Sequence, residues 1–172
     1  MWYETGCWST QQLAKREVRH SSRAPSAFNS GLSPTQYLGR IRMRAVSRPV
    51  DYLKGAFDQY PLQESFWIIF LNRRNHAMGR QLLTLGTLTG TLVHPRDVLR
   101  AAILSGAAAL LAGHNHPSGD PSPSGADIAL TRQLKEACAI MDIPLIDHVV
   151  VGERDGDPLG KGYFSFREAG LL

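Results

Sequence analysis

Between residues 113 and 127 the chain reads GHNHPSGDPSPSGAD. His114 and His116 stand two apart at the end of an apolar run. Side chains at that spacing on a strand point to the same face, so both imidazoles can converge on one ion. Asp127, about one turn into a helix opening at Ser124, offers a third donor, and the intervening loop is long enough to fold the helix start over the strand end. Two imidazoles and one carboxylate leave the fourth tetrahedral position open, the arrangement of a catalytic rather than a structural zinc. Water bound there has its pKa lowered toward about 7, which makes a nucleophile at neutral pH.

Hydrolysis at such a centre needs a general base and a donor for the oxyanion. Glu64 is the candidate base, because it heads a buried strand where an isolated carboxylate is otherwise costly. The Ser124 hydroxyl is the candidate oxyanion donor. Each residue also has a plainer reading. Ser124 and Asp127 form the S-x-x-D pattern of a capping box, in which both side chains only satisfy backbone N–H groups. For Glu64 the plainer reading is a solvated strand start. Asp120 competes as a ligand, and Asp147-His148 is a second acid–imidazole pair, read as structural or as a support for the ligands. His20, His76 and His94 have no partner pattern and read as surface or capping residues, and Cys138 reads as core. Residues 152–162 contain Glu153, Asp155 and Asp157 without the EF-hand register and read as a turn.

These residues must be positioned by regular elements. Residues 50–57 place apolar groups at helical spacing after a proline. Residues 65–72 (SFWIIFLN) read as a buried strand, and residues 77–89 would pair with it as a hairpin across Arg73-Arg74-Asn75. A helix is expected from Pro95 to about Ser105, a short strand over 107–113 and a Pro/Ser/Gly loop over 114–123. A long helix from Ser124 to near Met141 and a strand over 143–151 follow, and residues 163–172 close the chain. Helices interleaved with strands predict an α/β layered domain around a mixed sheet.

The 172 residues are about one domain's worth, with 43% hydrophobic and 20% charged residues. Two cysteines, Cys7 and Cys138, exclude a disulfide framework and a four-cysteine zinc site and fit a reducing, cytoplasmic setting. No apolar run approaches the roughly 20 residues of a membrane span, and no signal peptide is read at the N-terminus. Charge is uneven: residues 1–48 hold eight basic and two acidic residues, the remainder 11 basic and 13 acidic. Residues 1–47 therefore read as a basic arm, with a linker-like stretch over 17–34, in front of a domain over 48–172. Such an arm is either a solvated leader or a contact for nucleic acid.

The pattern Glu64 … His114-x-His116-x7-Ser124-x2-Asp127 resembles the JAMM metalloprotease motif of the JAB/MPN superfamily. The string HNHPSGDPSPSGAD is most similar to the RadC family of bacterial proteins, as are LGTLTGTLVHPRDVLRAAI, IPLIDHVVVG and YFSF around it. The resemblance covers roughly residues 48–172. It implies a three-layer α/β/α domain around a mixed sheet, cytidine-deaminase-like, with one zinc ion held by His114, His116 and Asp127. It also implies Glu64 as general acid/base, Ser124 as oxyanion donor and a peptide or protein substrate. Asn115 stands where deubiquitinating members carry a small hydroxyl residue, which speaks against a ubiquitin-type substrate. The helix-hairpin-helix region of full-length RadC proteins is not recognisable in residues 1–47.

The leading expectation is a zinc-dependent hydrolase of amide or isopeptide bonds. The alternative is a nucleic-acid-associated DNA repair accessory or nuclease, and a third is a catalytically silent scaffold. The complete residue set argues against silence. The deaminase pattern H-x-E … P-C-x-x-C is absent, which excludes that chemistry.

Overall fold

The run Ser65–Leu71 has β-branched and aromatic residues on both sides of the chain, and it forms a strand covered on both faces, β1. The computed structural model describes residues 48–86 and 93–172. A turn at Asn72, whose Oδ1 accepts from the Arg74 and His76 N–H groups, leads into the antiparallel partner β2 (Ala77–Leu85). Helix α1 (Pro95–Ser105) begins with proline in its first turn and ends on Gly106 in the left-handed region, φ 64°. The central strand β3 (Ala109–Asn115), helix α2 (Gly125–Ile140), β4 (Leu145–Val151) and the short β5 (Tyr163–Ser165) follow.

The five strands lie in the order β2-β1-β3-β4-β5, with β3 and β4 parallel and the other pairs antiparallel. Parallel pairing requires a crossover, and α2 supplies it. Alternation then sorts the strands. Phe66, Ile68, Phe70, Leu110 and Ala112 turn to one face, where Val98 and Ala102 of α1 and Leu134 and Cys138 of α2 cover them. Burial of each such large side chain contributes about 1.5–3 kcal/mol. On the other face Ile69, Leu71, Ala109, Leu111 and Val149 are covered by Tyr52 and Leu53 of the 3-10 helix Pro49–Leu53. The α/β class and the mixed sheet expected from the sequence hold, and among the described residues no helix is long and apolar enough to cross a membrane.

The boundaries shift where local geometry overrules pattern. The helical spacing over 50–57 yields only the 3-10 helix, because Gly55 (φ 67°) turns the chain. The strand expected over 107–113 runs from Ala109 to Asn115 instead. The Ala107 N–H is taken by Ala102 O in the cap of α1, so the ladder starts later and extends through His114. The hairpin expectation holds to Leu85; its residues 87–89 and the expected arm over 1–47 lie outside the described residues.

Candidate metal centre

β3 delivers the first histidine. His114 pairs with Phe66 of β1 and Val150 of β4, and its fully buried ring stacks on Phe66 at a centroid distance of 5.9 Å. His116 follows just beyond the strand, its N–H still donating to Val151 O at 2.8 Å. The spacing of two keeps both imidazoles on the face that α2 covers, with their Nε2 atoms 3.1 Å apart. Asp127, in the first turn of α2, brings Oδ1 to 3.2 Å from His114 Nε2 and Oδ2 to 3.6 Å from His116 Nε2. The same carboxylate completes a capping box: Ser124 Oγ accepts from the Asp127 N–H, and Asp127 Oδ2 accepts from the Ser124 N–H at 2.7 Å and hydroxyl at 2.6 Å. Capping and proximity to the histidines, alternatives at the level of sequence, coexist in one side chain.

The donors fit a cation in geometry and in chemistry. Metal–ligand bonds of about 2.0–2.1 Å imply a tetrahedral edge of about 3.3 Å, against separations of 3.1, 3.2 and 3.6 Å here. His116 Nδ1 lies 2.8 Å from the Asp120 carbonyl oxygen. That oxygen can only accept, so Nδ1 carries the proton and a neutral His116 presents a lone pair at Nε2. Lone pairs and a carboxylate at these distances repel one another unless a cation sits among them. The pKa values respond to that field. The Asp127 carboxylate, helped by the Asp120 carbonyl and Glu64, raises His116 against the opposing effect of burial. Burial opposes charge on Asp127, but the two imidazoles and the Ser124 hydroxyl outweigh it and hold the carboxyl far below the usual range. Among the described residues these three make the group able to hold a metal ion, with donor atoms within 4.8 Å of one another.

Glu64 reaches the same end of the sheet from β1, close enough for its charge to raise His116. Its two neighbours are tied to β3 by Asn115. Oδ1 of Asn115 accepts from the Ser65 N–H and hydroxyl at 2.8 and 2.9 Å, and its Nδ2 donates to Gln63 O at 3.1 Å.

A family model described as the RadC-like JAB domain matches residues 43–171. The chain belongs to that family. It is 46% identical over 165 residues to a UPF0758 protein of Xanthomonas axonopodis pv. citri, covering 95% of this chain and 63% of that one. It is 37% identical over 161 residues to one of Thermotoga maritima (94% and 62%) and 37% over 132 residues to one of Chlorobaculum tepidum (77% and 56%). The chain thus spans about three fifths of the length of these relatives.

In this RadC-like JAB domain the remaining candidates part company. Asp147 and His148, adjacent on β4, point to opposite faces of the sheet. Asp147 accepts from the Ser165 hydroxyl and the Arg167 and His148 N–H groups, while burial pushes its carboxyl up. The His148 ring turns to the side of the candidate donors, where Nε2 lies 2.9 Å from His114 Nδ1; burial, then the neighbouring His114, holds it well below the usual imidazole value. Asp120 contributes its carbonyl to His116, while its carboxylate accepts the Ser122 N–H. His76 and His94 are exposed, and Cys138 is buried in the core, its thiol pushed up to about 11 by burial.

Sequence reasoning missed Thr131, the strap at Asn115 and a clasp around the His116 loop. The turn over 152–162 closes on Gly119, whose carbonyl oxygen accepts the Glu153 N–H at 2.7 Å. A Cβ on Gly152 or Gly156 would lie 2.3 or 2.5 Å from that oxygen. The glycines at 152 and 156 were visible in the sequence as a signal of close backbone approach.

Proposed function

We propose that this domain is a zinc-dependent hydrolase of amide or isopeptide bonds in a peptide or protein substrate, acting in the reducing cytosol that its sparse cysteines suit. The observation that carries this reading is the convergence of His114 Nε2, His116 Nε2 and Asp127 within 3.1–3.6 Å, a donor set of catalytic-zinc type. One zinc ion held there would act as a Lewis acid and lower the pKa of water to about 7. Glu64 serves as base and then acid, accepting a proton from the attacking water and returning it to the nitrogen as the carbon–nitrogen bond breaks. Ser124 is held in place by the Asp127 N–H donating to its Oγ. Its hydroxyl proton, which Asp127 Oδ2 accepts in this structure, turns to the carbonyl oxygen as negative charge develops there.

Metal analysis followed by peptide, isopeptide and oligonucleotide cleavage assays, with and without chelator, tests the reading. About one zinc per chain and chelator-sensitive peptide or isopeptide cleavage are expected. A protein without zinc, or cleavage indifferent to chelator, refutes it.

A second reading, association with nucleic acid, is favoured by the eight basic and two acidic residues of 1–48. The metal end of the domain is poorly suited to phosphates, because the Asp120 carboxylate stands near that of Asp157, and Glu153 flanks Gly119. The arm is therefore the contact in this reading, and binding should weaken steeply with salt. Binding that is insensitive to salt, or that survives removal of the arm, refutes that assignment.

A further inference from the structure

A hydrogen-bonded chain runs from one candidate ligand back to another through two residues that the proposed hydrolysis does not use. His114 Nδ1 lies 2.9 Å from His148 Nε2, His148 Nδ1 lies 2.6 Å from Thr131 Oγ1, and Thr131 Oγ1 lies 2.6 Å from the backbone carbonyl oxygen of Asp127. Each of these contacts is too short for two bare lone pairs, so each contains one proton. The carbonyl has none to give, so the proton at that end is Thr131's own. A hydroxyl has a single proton, so Thr131 must accept from His148, which places a proton on His148 Nδ1. His148 is wholly buried between the rings of Phe66 and Phe166, the latter stacked at 5.0 Å. A ring in such surroundings is carried neutral. Its Nε2 is then an acceptor, and the proton in the last contact belongs to His114 Nδ1.

From this we infer that His148 and Thr131 are positioning residues that set the tautomer of His114, leaving its Nε2 bare and aimed at the metal position before any metal arrives. The inference rests on the metal reading above. Register and packing build the relay: β3 and β4 pair in parallel so that Ala112 sits opposite His148, and α2 brings Thr131, one turn beyond Asp127, against the His148 ring. The usual partner for the second nitrogen of a ligating histidine is a carboxylate or a backbone carbonyl. Here a neutral imidazole and a hydroxyl stand between His114 and the carbonyl, and that carbonyl belongs to Asp127. The two ligands are thereby oriented as one unit.

The test is ring 15N NMR of the metal-free and zinc-loaded protein, with zinc affinity measured by competition against a chromophoric chelator, on wild type, Thr131→Val and Thr131→Ser. In metal-free wild type, His114 should carry its proton on Nδ1. Thr131→Val, close in shape but unable to accept from His148, should abolish that preference and weaken zinc by roughly 10–100-fold. Thr131→Ser should restore both. A His114 proton on Nε2 in the metal-free wild type overturns the inference whether or not the variants fold. Wild-type affinity and tautomer in Thr131→Val overturn it as well, with the metal reading intact. A wild-type chain that takes up no zinc overturns the metal reading, and the relay's role with it.

Discussion

Replacing Gly152 by alanine separates the clasp from ordinary loop packing. A Cβ there would sit 2.3 Å from Gly119 O, 2.8 Å from Pro121 N and 2.9 Å from Gly119 C, all backbone atoms that no rotamer change can move aside. Reaching an ordinary 3.4 Å contact requires the Gly119–Asp120 segment to withdraw by about 1 Å. The Asp120 carbonyl accepts the His116 Nδ1–H at 2.8 Å, and the same withdrawal takes that bond beyond hydrogen-bonding range. Two losses follow. Overpacking costs about 1–3 kcal/mol, which for a chain of this size lowers Tm by about 2–12 °C. An unfastened His116 should weaken zinc by about tenfold or more. Gly125→Ala is the control: a Cβ there meets nothing within 4 Å, and the change should stabilise by about 0.4–1 kcal/mol. The assays are thermal unfolding of the metal-free protein and chelator competition for zinc. If Gly152→Ala melts with wild type and binds zinc equally well, the loop does not hold His116 and the reasoning fails.

Glu64→Gln should retain zinc and fold while activity falls by roughly 10²–10⁴; loss of zinc in this variant would make Glu64 a ligand instead. Asp127→Asn should weaken zinc, because a neutral amide is a poorer ligand, yet keep the start of α2, because Ser124 remains the N-cap and the Asn side-chain oxygen can still accept the Ser124 N–H; unchanged zinc affinity would leave Asp127 with capping alone. The raised pKa of His116 has a sign that can be checked. Protonated His116 stabilises the metal-free fold fully below its unfolded value of about 6.5, and that contribution is lost as pH rises through the higher folded value. Zinc must displace the same proton, so its affinity should climb over that window; an affinity flat with pH would contradict the His116 assignment.

The three donors of the candidate metal centre were legible because His114, His116 and Asp127 lie within one short stretch and obey two local periodicities, alternation on the strand and the capping register of the helix. Glu64 was singled out mainly by its place before an apolar run in a motif of known shape, and the structure adds that its charge reaches His116. Asp147 and His148 were read as one supporting acid–imidazole pair; the structure splits that reading, with His148 against His114 and Asp147 in structural bonds, because adjacency on a strand sends the two side chains to opposite faces. Thr131 gave no signal at all. Its role exists only once β3 and β4 pair in parallel and α2 packs across them, and neither register is written locally. Asn115 was noticed as a departure from the deubiquitinating pattern, but its bonds to Gln63 and Ser65 cross about 50 positions of chain and depend on how β1 meets β3.

The double engagement of Asp127 bears on how such domains are recognised as active or silent. A chain that lost its chemistry would still gain from an aspartate at this position, because the capping box starts α2 whether or not a metal is present. His114 would also persist, since its buried ring packs on Phe66 and completes a bonded chain. His116 is different: it follows the strand, its side chain is 17% exposed, and apart from the Asp120 carbonyl its ring meets the other two donors of the candidate site, His114 and Asp127. Substitution at His116 with the other two intact should therefore be the mark of a member that has kept the fold and abandoned the reaction. An aspartate at the helix start, taken by itself, says little about catalysis.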